Sequence, residues 1–66
     1  MSNDIKDKIE LLLDSIETSR IYAGATFEAL CNDKNHEDAV LFCMIRDSLK
    51  VQADTLRDYM FVHEKN

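Results

Sequence analysis

The stretch NDKNHED, Asn32 to Asp38, is a run of polar residues in a chain otherwise patterned for continuous helix. With no proline and a single glycine, at Gly24, the sequence has little other means of reversing direction. Asn32 suits the left-handed position that ends a helix, and Asn35 suits the cap that starts the next. Asp38, three residues beyond Asn35, completes a partial capping box. Glu37 and Asp38 also fall where a helix dipole is positive. A turn is therefore expected over about 32–35.

Upstream of it, apolar or small residues recur in a 4-3-4-3 rhythm, the spacing that keeps one stripe of a helix facing a partner. One seam position takes Ile9, Ile16, Ala23 and Leu30, and the other takes Ile5, Leu12, Ser19 and Thr26. Ser2, Asn3 and Asp4 are candidate N-caps. Downstream the rhythm resumes at Phe42, Ile45, Leu49, Gln52, Leu56 and Tyr59, flanked by Ala39, Leu41, Ala53, Met60 and Val62.

These patterns predict an all-α, single-domain chain over 1–66, an antiparallel hairpin with helices over about 3–31 and 36–62. Folding about the turn sets Thr26 opposite Phe42, Ala23 opposite Ile45, Ser19 opposite Leu49 and Leu12 opposite Leu56. Small faces large in several of these layers, as interdigitated packing requires. The expected core of hairpin and dimer is Ile9, Leu12, Ile16, Ala23, Leu30, Phe42, Ile45, Leu49 and Leu56.

Apolar residues extend beyond that stripe. Leu11, Leu13, Ile21, Tyr22, Ala25 and Phe27 surround the first seam, and Val40, Leu41, Met44, Val51 and Phe61 the second. A chain of 66 residues buries only about 60% of its unfolded surface when it folds alone. Pairing two hairpins into a homodimeric four-helix bundle covers more of each chain, and twofold dimers are the commonest soluble oligomers. Ile21, Tyr22, Gly24, Ala25, Phe27, Val40 and Met44 are the expected partner surface, with Gly24 permitting close approach of another helix. The covering chain is a second copy, another protein, or both in turn.

Composition narrows the chemistry. Thirteen acids against eight bases give a net charge of −5, and the bases are dispersed, so nucleic acid is not an expected partner. The ligand-capable Cys31, His36, Cys43 and His63 form no CxxC or HxxxH pair, and no metal or cofactor is expected. Cys31 and Cys43 lie out of register with each other, which argues against a disulfide. No glycine-rich phosphate loop occurs, and a hairpin has no cleft to hold a nucleophile beside a histidine. An enzyme is not expected. MSNDIKDKIELLLD, at the N-terminus, has neither a signal peptide's apolar core nor a membrane span, and a cytoplasmic location with reduced thiols is expected.

In length, heptads and turn placement the chain resembles Rop, the small plasmid regulator whose helical hairpins dimerise and bind paired RNA loops. The hairpin chaperones of type III secretion are similar in size and plan. Each resemblance is one of architecture, with no shared motif. The expected function is that of a small acidic regulatory or accessory protein, an adaptor, inhibitor or chaperone acting by helix-mediated contact. The alternative is a nucleic-acid-linked regulator, through Rop-like RNA binding or an acidic surface that mimics DNA.

Overall fold

The computed structural model describes residues 1–64, so the last two positions of the expected domain lie outside the described residues. It consists of two helices packed against each other, α1 over Asn3–Asn32 and α2 over His36–Glu64. The all-α hairpin expected from the periodicity is the architecture found, with α1 one residue longer and α2 two residues longer than expected at their C-terminal ends. The Cα trace extends 50 × 16 × 10 Å, a thin plate two helices wide and one helix thick.

Of the three candidate caps, Ser2 is the one used. Its Oγ accepts a hydrogen bond from the Ile5 N–H at 3.3 Å, satisfying one of the four backbone donors that a helix start leaves open. Asp4 instead falls inside the first turn, where it pairs with Lys8 at 3.2 Å.

The reversal is built differently from the sequence expectation. Asn32 remains helical, and the left-handed residue is Lys34, with φ = 61°. The Asn35 N–H donates to the Leu30 carbonyl at 2.9 Å, and the Lys34 N–H donates to the Cys31 carbonyl at 3.1 Å. These are the two bonds of a Schellman motif, which places its left-handed residue immediately before Asn35. Asn35 then starts α2: its Oδ1 accepts from the Asp38 N–H at 3.4 Å, and its Nδ2 donates to Asp38 Oδ2 at 2.9 Å. Because Asn35 serves both helices, Lys34 is the position left to carry the positive φ.

The core is slight. Among the described residues only Ile16, Ala23, Ala39 and Ala53 are buried, and no large side chain is fully enclosed. Ala39 and Ala53, read from the sequence as flanking residues, are the most deeply buried positions of α2. Their small side chains let the helices approach closely, and Ala53 is completely covered. Half-buried residues continue the seam: Ile9, Leu13, Phe27 and Leu30 on α1, and Phe42, Leu49, Leu56 and Met60 on α2.

Candidate interaction surface

The two flanks of this seam have opposite chemistry. Along one, long charged side chains lie across the junction. Glu17 is bound by Arg57 from α2 and by Arg20 at 3.1 Å from its own helix, and Arg57 also reaches Asp54 at 3.3 Å. Arg46 lies over the Phe27 ring, 5.2 Å from its centroid, while its Nη2 donates to Cys43 Sγ at 3.2 Å. Lys6 and Glu64 close the open end of the hairpin at 2.8 Å. The aliphatic stems of such residues cover apolar surface while their heads remain wet and paired.

These contacts perturb two groups. The Arg57 hydrogen bond, aided by Arg20, holds the Glu17 carboxyl below its ordinary value against a smaller opposing effect of burial. The hydrogen bond and charge of Glu64 raise the Lys6 ammonium above its ordinary value. Arg20, Arg46 and Arg57 are thus engaged within the chain, so binding phosphates with them would require breaking these contacts.

The other flank is apolar and unpaired. Two adjoining depressions run along it. One, of about 370 Å³, lies nearer the open end and is lined by Leu12, Ile16, Val51, Gln52, Thr55 and Leu56. The next, of about 270 Å³, lies nearer the turn, between Ser19, Tyr22, Ala23 and Thr26 of α1 and Phe42, Ile45 and Leu49 of α2. The members of the four residue pairs expected from the sequence register all line these depressions, with Ala23 buried, Thr26, Phe42, Leu49 and Leu56 half-buried, and Leu12, Ser19 and Ile45 exposed.

The two threonines of this face bond back onto their own helices. Thr26 Oγ1 donates to the Tyr22 carbonyl and Thr55 Oγ1 to the Val51 carbonyl, each at 2.8 Å. Each threonine therefore carries little unmet hydrogen-bonding demand into a covered interface. Gln52 Nε2 reaches Ser48 Oγ at 3.4 Å.

The residues expected in the core and on the partner surface are redistributed accordingly. Ile16 and Ala23 are buried, and Ile9, Leu30, Phe42, Leu49 and Leu56 are half-buried, but Leu12 and Ile45 are 50% and 39% exposed on the apolar flank. From the partner-surface set, Tyr22 lines the groove, whereas Ile21 lies on the charged flank beside Glu17, Arg20 and Arg46. Gly24 is turned toward the chain's own second helix. A Cβ there would meet Arg46 Cδ at 3.7 Å, an ordinary van der Waals contact, so the hairpin's own packing does not require the glycine. Phe27 is half-buried beneath the same arginine. Ala25, Val40 and Met44 are exposed.

Arg20 and Arg46 are half-buried at the seam and were missed by the heptad reading, which treats arginine as a surface residue, whereas Met60, read as a flanking residue, is half-buried in it. Cys31 and Cys43 are free thiols, both half-buried. Among the described residues no group of His, Cys, Asp and Glu is placed to hold a metal ion, and no helix is long and apolar enough to cross a membrane. In comparisons with protein-family models, curated proteins and solved structures, nothing matches this chain.

Proposed function

We propose that this chain is a small, acidic, non-enzymatic regulatory or accessory protein of the cytoplasm. It works through helix-mediated protein contact as a homodimer in which two hairpins close their apolar faces into a four-helix bundle. The observation that carries this reading is the asymmetry of the hairpin: one flank is closed by ion pairs and the other presents a continuous apolar groove. The accessible surface of 5021 Å² also exceeds the roughly 4,300 Å² of a compact monomer of this mass. Regulatory roles of the adaptor, inhibitor or chaperone type follow from a surface that recognises helices and carries no assembled reactive group.

The test is mass in solution, by light scattering or sedimentation over a dilution series. The dimer gives twice the 7.6 kDa chain mass at micromolar concentration. A folded, cooperatively melting 7.6 kDa species there would overturn the proposal.

A further inference from the structure

We draw no further inference here: the strongest candidate, the apolar groove between α1 and α2 lined by Leu12, Tyr22, Ile45, Val51 and Leu56, belongs to the surface already described, and nothing in the structure shows what covers it or in which orientation.

Discussion

Lys34 holds φ = 61°, a conformation in which an L side chain crowds the adjacent carbonyl and only glycine is at ease. The Schellman hydrogen bonds and the double use of Asn35 keep it there. Lys34→Gly is accordingly expected to stabilise the protein by about 1 kcal/mol, measured by urea unfolding at fixed protein concentration. No change, or a loss, would mean that the lysine side chain contributes something that offsets its backbone cost. At this scale the polar run marked the turn correctly, and Asn35 and Asp38 were legible as a capping pair. The left-handed residue was not, because Asn32 is the better former of that conformation, and cap geometry outweighed its preference. Gly24 faces the second helix, but a Cβ there would make only ordinary contact with Arg46, a distance that depends on where Arg46 lies across the seam.

For the two helices, the ion pairs along one flank set a pH dependence. Glu17, with its carboxyl held down chiefly by the Arg57 hydrogen bond, binds a proton less readily folded than unfolded. Its contribution is therefore present above its ordinary value of 4.5 and is lost as pH falls through the lowered folded value. Lys6, raised by Glu64, contributes fully below its ordinary value of 10.5 and loses that contribution as pH rises through the folded value above it. Thermal melting across pH should show the Glu17→Gln variant with a flatter acid limb than the parent and an unaltered alkaline limb. Parallel acid limbs in the two proteins would show that the Glu17–Arg57 contact does not persist in solution. The heptads indicated the existence and approximate length of both helices, which follow from spacing that any helix must obey. They misjudged which edge of the stripe forms the hairpin seam. Arg20 and Arg46 pack by their stems, and that option is invisible to a pattern scored as apolar or charged.

In the whole molecule, the rotation of each helix about its axis decides which residues face outward together. It turns Leu12, Tyr22 and Ile45 onto one open face and Ile21 onto the ion-paired flank. Two equally drastic substitutions should then have different consequences. Ile45→Glu is expected to convert the proposed dimer to monomer by placing a charge in the groove, whereas Ile21→Glu is expected to leave the mass unchanged, both read by sedimentation. Dissociation by Ile21→Glu alone would assign the interface to the wrong flank. The linear order of residues was sufficient for two helices, their ends to within a residue or two, the turn between them, and a surplus of apolar side chains, because periodicity and capping are local. Separating that surplus into a half-buried seam, a charged flank and an exposed groove took the packed hairpin. Which stripe a helix buries is set by side chains that reach it from the other helix, and no local rule in either helix contains that information.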